Sequence, residues 1–97
     1  MPTYISMLRW TAKGIEHIKE SPARADKIKP LLKSLGGELQ GFFMTMGAYD
    51  MAIRFTVPDD ATCARFILAT TSQGNVTAET MRAFTEEEYR QIIASLP

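Results

Sequence analysis

The sequence predicts an α+β domain: a four-stranded antiparallel sheet with two helices on one face and a further helix at the C-terminal end. Three observations carry this. Runs of alternating side chains recur at Thr3–Trp10, Glu38–Thr45, Asp50–Val57 and Val76–Phe84. Between the first and second, and between the third and fourth, lie stretches with helical spacing. The second and third runs are separated only by Met46-Gly47-Ala48-Tyr49, the length and composition of a hairpin loop.

In the first strand Tyr4, Ser6, Leu8 and Trp10 point one way, and Ile5, Met7 and Arg9 the other. Thr11-Ala12-Lys13-Gly14 leaves it, and Ile15 and Ile18 stand one turn apart, which predicts a short helical segment. Ser21-Pro22 reads as a helix start, a capping hydroxyl followed by proline in the first turn. Ala25, Ile28, Leu31, Leu32 and Leu35 then form an apolar stripe that stops at Gly36-Gly37. Pro30 interrupts that stripe and leaves the Asp26 carbonyl without its usual donor, so a kink or two stacked segments is expected.

In the hairpin, a four-residue loop pairs Thr45 with Asp50, Met44 with Met51 and Phe42 with Ile53. That register gathers Phe42, Met44, Met51, Ile53 and Phe55 on one face, and leaves Phe43, Thr45, Asp50, Ala52 and Arg54 on the other. A slip of one residue would exchange every partner. Pro58-Asp59-Asp60 opens the next helix, with an aspartate cap and negative charge at its positive end. Its buried side is expected to include Ala64, Ile67, Leu68 and either Cys63 or Phe66, and Gly74-Asn75 ends it. After the fourth strand, Thr85-Glu86-Glu87-Glu88 is a capping box, and Tyr89, Ile92, Ile93 and Leu96 share one side of the final helix.

Ninety-seven residues make one domain spanning 1–97. Eleven basic and eleven acidic residues balance, which argues against nucleic acid or anionic lipid as a partner. No apolar run approaches the length of a membrane span. Met1-Pro2-Thr3-Tyr4-Ile5 has no secretory-signal pattern, and the single cysteine, Cys63, suits a reducing compartment, so a cytoplasmic protein is expected.

A lone sandwich of this kind should present a polar outer sheet face. These strands do not. Whichever face the helices take, Phe43 and either Ile5 with Met7, or Tyr4 with Leu8 and Trp10, are left outside. Each is worth roughly 1.5–3 kcal/mol when buried, so a homo-oligomer, most simply two sheets packed about a twofold axis, is expected.

Tyr4-Ile5-Ser6 with Arg9-Trp10-Thr11, Gly14-Ile15, Ser21-Pro22 and Gly36-Gly37 resemble the opening half of GYD domain proteins. Thr45-Met46-Gly47-Ala48-Tyr49-Asp50 resembles the motif that names them. Gly74-Asn75-Val76 and Arg82-Ala83-Phe84-Thr85-Glu86-Glu87-Glu88-Tyr89 complete the likeness over nearly the whole chain. The resemblance implies a ferredoxin-like fold of the dimeric α/β-barrel group and a function that is uncharacterised. Related barrels include ligand-sensing domains, cofactor-free monooxygenases and haem-binding enzymes, a likeness of fold only.

Residues able to carry chemistry are few. His17 is the sole histidine and sits among Lys13, Glu16, Lys19 and Glu20, the setting of a solvated helix face. No histidine–cysteine cluster suggests a metal, no glycine-rich phosphate loop is present, and no cofactor is predicted. Cys63 reads as a small core residue. Tyr49 and Asp50 either hold a small polar ligand or serve the turn itself. Arg9, Trp10, Arg54, Glu79 and Arg82 are the polar or amphipathic groups on strands that could line a cavity between sheets, with Trp10 alternatively an interface anchor. The ligand-site candidates are therefore Trp10, Tyr49, Asp50, Arg54 and Glu79. Two functions follow: a non-enzymatic ligand-binding or interaction module, or a cofactor-free oxygenase acting on an aromatic or quinone-like substrate. The second requires a base or a polarising pair inside a pocket.

Overall fold

The computed structural model describes residues Met1–Pro97. Its strands are β1 (Thr3–Trp10), β2 (Glu38–Met44), β3 (Met51–Thr56) and β4 (Val76–Ala83), and its α-helices are α1 (Ala12–Glu16), α2 (Ser21–Ala25), α3 (Ile28–Ser34), α4 (Asp60–Thr71) and α5 (Glu86–Ala94). A 3₁₀ turn, Ile18–Glu20, joins α1 to α2. The strands form one antiparallel sheet in the order β2-β3-β1-β4. This is the ferredoxin-like arrangement that the alternation and spacing predicted, with α5 added.

The hairpin has the predicted register. Met44 stands opposite Met51 and Phe42 opposite Ile53, and the Thr45 amide donates to the Asp50 carbonyl at 2.8 Å. A bulge between Leu39 and Gly41 shifts the pairing further along β2, returning Leu39 to the side of Phe42 beside Phe55.

The helices cover the face of Tyr4, Ser6, Leu8 and Trp10. On that face Tyr4 stacks on Phe55 with ring centroids 5.6 Å apart, and Phe55 meets Phe66 of α4 at 4.9 Å. Leu8, Ile53, Met51, Leu32, Val57 and Cys63 complete the core. Ser6 is fully buried here, and its hydroxyl is satisfied by Thr80 at 2.9 Å.

Two helical details differ from the expectation. Ser21 does not cap α2; it is already helical, because the 3₁₀ turn runs directly into it. The buried side of α4 is Thr62, Cys63 and Phe66, with Ile67 half-buried, whereas Ala64 and Leu68 are exposed. Asp59 sets that phase: its carboxylate accepts from the Thr62 amide and hydroxyl, so the turn carrying residues 62, 63 and 66 faces the sheet. Pro30 behaves as anticipated, since α2 and α3 are separate segments broken at Asp26-Lys27. Beyond α3, Gly36 takes φ +78°, and the Gly37 amide closes on the Leu32 carbonyl at 2.8 Å. The capping box of α5 is present in both directions. None of its residues is buried.

Candidate functional site

Strand alternation divides the five site candidates between the two faces of the sheet. Arg54 pairs with Ile5 and Glu79 with Met7, so both belong to the uncovered face. Trp10 shares the parity of Leu8 and packs against the helix-side core. A single pocket bounded by Trp10, Tyr49 and Arg54 therefore does not form, and the indole is not an anchor on the open sheet face. Both corrections follow from the two-residue period of β1.

On the uncovered face, Tyr49 reaches from the hairpin loop across β1. Its hydroxyl donates to Glu79 Oε2 at 2.5 Å, and the Arg9 guanidinium lies 4.5 Å above its ring. Arg9 also donates through Nε to the Ala48 carbonyl at 2.5 Å. The bond to Glu79, helped by partial desolvation, raises the Tyr49 pKa, so this phenol is a hydrogen-bond donor at neutral pH. Arg54 is exposed on the same face and makes no hydrogen bond or ion pair within the chain.

Asp50 is absorbed by the turn. Its carboxylate Oδ2 accepts from the Trp10 amide at 3.0 Å, and its own amide donates to the Leu8 carbonyl at 2.9 Å. The Thr45 hydroxyl adds a bond to the Tyr49 carbonyl at 2.6 Å. The two Asp50 bonds extend the pairing of β3 with β1, and the Thr45 bond fixes where Tyr49 leaves the loop.

The cavity proper lies on the other face, between the helices and the sheet. It has a volume of about 80 Å³ and is walled by Leu8, Trp10, Phe42, Met51 and Val76 from the strands, Ile28 and Leu31 from α3, and Ala69 from α4. Ser21, Arg24, Lys27, Thr70, Gln73 and Asn75 supply its polar groups. No carboxylate, histidine, tyrosine or cysteine is among the residues that line it. Trp10 Nε1 is buried and has no acceptor, the only buried side-chain nitrogen or oxygen so left. Arg24, one-fifth exposed, donates to the carbonyls of His17 at 3.1 Å and Gly14 at 3.4 Å. On the outer side the cavity adjoins an open groove of about 640 Å³, with Trp10, Phe42 and Met51 common to both.

The wall beside Trp10 is held by a close approach. Thr11 caps α1 through the Gly14 amide, and the Thr11 amide donates to the Asn75 carbonyl at 3.0 Å. Gly14 packs so tightly there that a β-carbon would collide with the Asn75 carbonyl oxygen. That contact ties the start of the helical segment to the start of β4.

The remaining candidates lie elsewhere. His17 is half-exposed, 3.9 Å from Glu20 at the surface. Cys63 is buried in the core, and burial raises its thiol pKa, the reverse of what a nucleophile requires. Arg82 lies over the Phe84 ring at 4.4 Å and donates to the carbonyls of Thr3 and Ala83, closing the sheet end. No group of three or more histidine, cysteine, aspartate or glutamate side chains is placed to hold a metal ion. Hydrophobic periodicity in the sequence does not single out Arg24, which is charged. Its position is nevertheless written there: Ser21, Arg24, Ala25 and Ile28 share one helical side at the i, i+3, i+4, i+7 spacing.

A family model described as the GYD domain matches residues 4–93. A comparison with functionally curated proteins finds no match. Among solved structures, the chain is similar to the de novo designed protein Ferredog-Diesel, at 13% identity and a TM-score of 0.51, over 84% of this chain and 85% of that one. That likeness concerns the fold alone. No helix is long and apolar enough to cross a membrane.

Proposed function

The chain belongs to the GYD domain family, and from that premise we propose that it is a small-molecule-binding module that works as a homo-oligomer without catalysing a reaction. The observation that carries the binding reading is the Trp10 cavity: a mostly apolar space that the tryptophan lines, with Arg24 and Lys27 among its polar groups. The charged groups lining the cavity, Arg24 and Lys27, are both positive. A compact molecule with an apolar body and a carboxylate end, an aromatic or short-chain acid, matches that lining. A cofactor-free oxygenase would need a base or polarising pair at the cavity. None of Tyr49, Asp50, Arg54, Glu79 and His17 lines it.

The assembly reading rests on the uncovered sheet face. Phe43 is 66% and Met81 50% exposed, and Ile5 and Met7 lie between them. Arg54 has no partner there, and the Glu79 carboxylate has only the Tyr49 hydroxyl. A second copy packed about a twofold axis supplies opposite charges to both while covering the apolar centre. Tyr49, Glu79 and Arg54 then lie between subunits, where they set the register of the two sheets.

Trp10 is the only tryptophan, so its fluorescence reports directly on the cavity. Titration with a panel of small aromatic and aliphatic carboxylates should shift its emission and raise the melting temperature, with the matching amides weaker. Arg24→Met should weaken the carboxylates by about tenfold, the equivalent of 1.4 kcal/mol, and leave the amides unchanged. Emission and melting temperature unmoved by every member of the panel would defeat the binding reading.

A further inference from the structure

The closed cavity is small for the acids that suit its lining. At about 80 Å³ it falls well short of the roughly 150 Å³ of a cavity that accepts benzene, and a ring acid carries a carboxylate besides. A wall must move before a ring can enter, and the walls are not equally fixed.

On the sheet side Leu8 and Met51 are buried in paired strands. α3 is held by Leu32 and α4 by Phe66, both fully buried. α2 is different. None of Ser21–Ala25 is buried, no side chain caps its start, and it packs mainly on its chain neighbours, the 3₁₀ turn and α3. None of its hydrogen bonds reaches the sheet or α4. Outside its own backbone turns, they are those of Arg24 to the His17 and Gly14 carbonyls. A segment with so few buried contacts opens locally at low cost.

Both ends of α2 are built to bend, and what lies beyond each is anchored. On one side the 3₁₀ turn leads back to α1. That helix is fastened beside Asn75 by the Thr11 amide and the close approach of Gly14, and Lys13 Nζ donates to the Gln73 carbonyl at 2.8 Å. On the other side the chain breaks at Asp26-Lys27, where Pro30 offers the Asp26 carbonyl no N–H. Ser21 and Ala25 line both the inner cavity and the open groove. α2 is therefore the helical part of the partition between them.

We infer that α2 is a hinged wall: it swings outward between the 3₁₀ turn and the Asp26-Lys27 break and joins cavity and groove into one chamber that admits a ring-bearing acid. The inference deepens the binding reading and rests on it for what enters. The motion itself belongs to the free chain.

The test is thiol labelling of Leu8→Cys, at a position 3% exposed that lines the cavity and not the groove. Native Cys63, buried in the core and not among the cavity residues, reports global unfolding in the same molecule. Methyl and benzyl methanethiosulfonate, one small and one ring-bearing, are followed by peptide mass spectrometry. At high reagent concentration both should label position 8 at one common ceiling rate, the rate of opening, about tenfold or more above Cys63. Pro30→Ala returns an N–H to the Asp26 carbonyl and fuses α2 with α3. It should lower that ceiling, relative to Cys63, by about fivefold. Met51→Cys, on the same wall, replaces Leu8→Cys if that variant does not fold. Labelling by the methyl reagent alone, labelling no faster than Cys63, or a rate unmoved by Pro30→Ala would each overturn the inference. No carboxylate is present, so a ligand panel that moves nothing would defeat the binding reading and leave these rates as they are.

Discussion

The two faces of the sheet are built from the same four strands by alternate residues, and nearly equal hydrophobicity has met unequal fates. On the helical side Phe55 is fully buried, with Ile53 2% and Tyr4 and Leu8 3% exposed. On the other side Phe43 and Met81 are half or more in water, in the edge strands β2 and β4, opposite Ala52 of β3 and Ile5 of β1. The difference lies in what stands opposite. α3 and α4 offer Leu32 and Phe66 to the first face, whereas within one chain nothing meets the second. Apolar residues on both faces of a strand thus announce two layers of packing, only one of which a single chain supplies.

The comparison breaks most visibly on the covered side. Phe55→Ala should destabilise the domain by about 3–5 kcal/mol, the cost of a large buried ring and the cavity left behind, read as a drop in the urea midpoint. Phe55 touches both Tyr4 and Phe66, so no neighbour can fill the space without abandoning the other. A loss below 1 kcal/mol would mean that this core is loosely packed.

Gly37→Ala probes the seam between α3 and β2. A β-carbon there would run into the Thr56 carbonyl oxygen and lie 2.7 Å from Val57 Cγ1. Backbone displacement of that kind costs about 1–3 kcal/mol. Gly47→Ala is the comparison, since nothing lies near its would-be β-carbon; only its φ of +132° disfavours the change.

Tyr4 makes the contrast dependent on pH. Burial and a hydrogen bond to the Asp60 carboxylate raise its phenol from 10.0 to about 12. The unfolded chain releases this proton near pH 10 and the folded chain near pH 12, so the unfolded state binds fewer protons between them. Stability contributed by Tyr4 is fully present below pH 10 and is lost as pH rises toward 12, by roughly 2 kcal/mol. Tyr4→Phe should flatten that loss in urea titrations at pH 9 to 11.5. Tyr49, also raised but on the open face, should contribute little to the slope, since solvent screens its bond to Glu79.

Where the sequence was legible, a strict period and a pinned end agreed. The hairpin register followed from alternation plus a four-residue loop, and α5 followed from a capping box that needs no tertiary partner. The phase of α4 was not legible, because Cys63, Ala64, Phe66, Ile67 and Leu68 put apolar side chains nearly all round it. The Asp59 cap decides the matter through Thr62. Nor could alternation say which sheet face the helices take, since both are apolar; that choice sent Trp10 to one side and Tyr49, Arg54 and Glu79 to the other. The binding cavity proposed here was the least accessible part. It is assembled from Trp10, Arg24 and Thr70, which no local pattern connects.

The smallest expected change in subunit stability is the one that sharpens the comparison most. Phe43→Glu places a charge in the middle of the uncovered face at a site 66% exposed. Folding of the subunit, followed by urea at concentrations low enough to dissociate any oligomer, should move by no more than about 0.5 kcal/mol, as for other surface substitutions. Assembly should respond quite differently. In a sheet-to-sheet dimer the glutamate is buried against a second apolar layer without a partner, so sedimentation at micromolar concentration should show a lower mass. The melting temperature should also lose its dependence on protein concentration, since mass action no longer couples folding to association. An unchanged mass with an unchanged subunit would show that this face is left in water, and its apolar residues would then need an account other than a second copy.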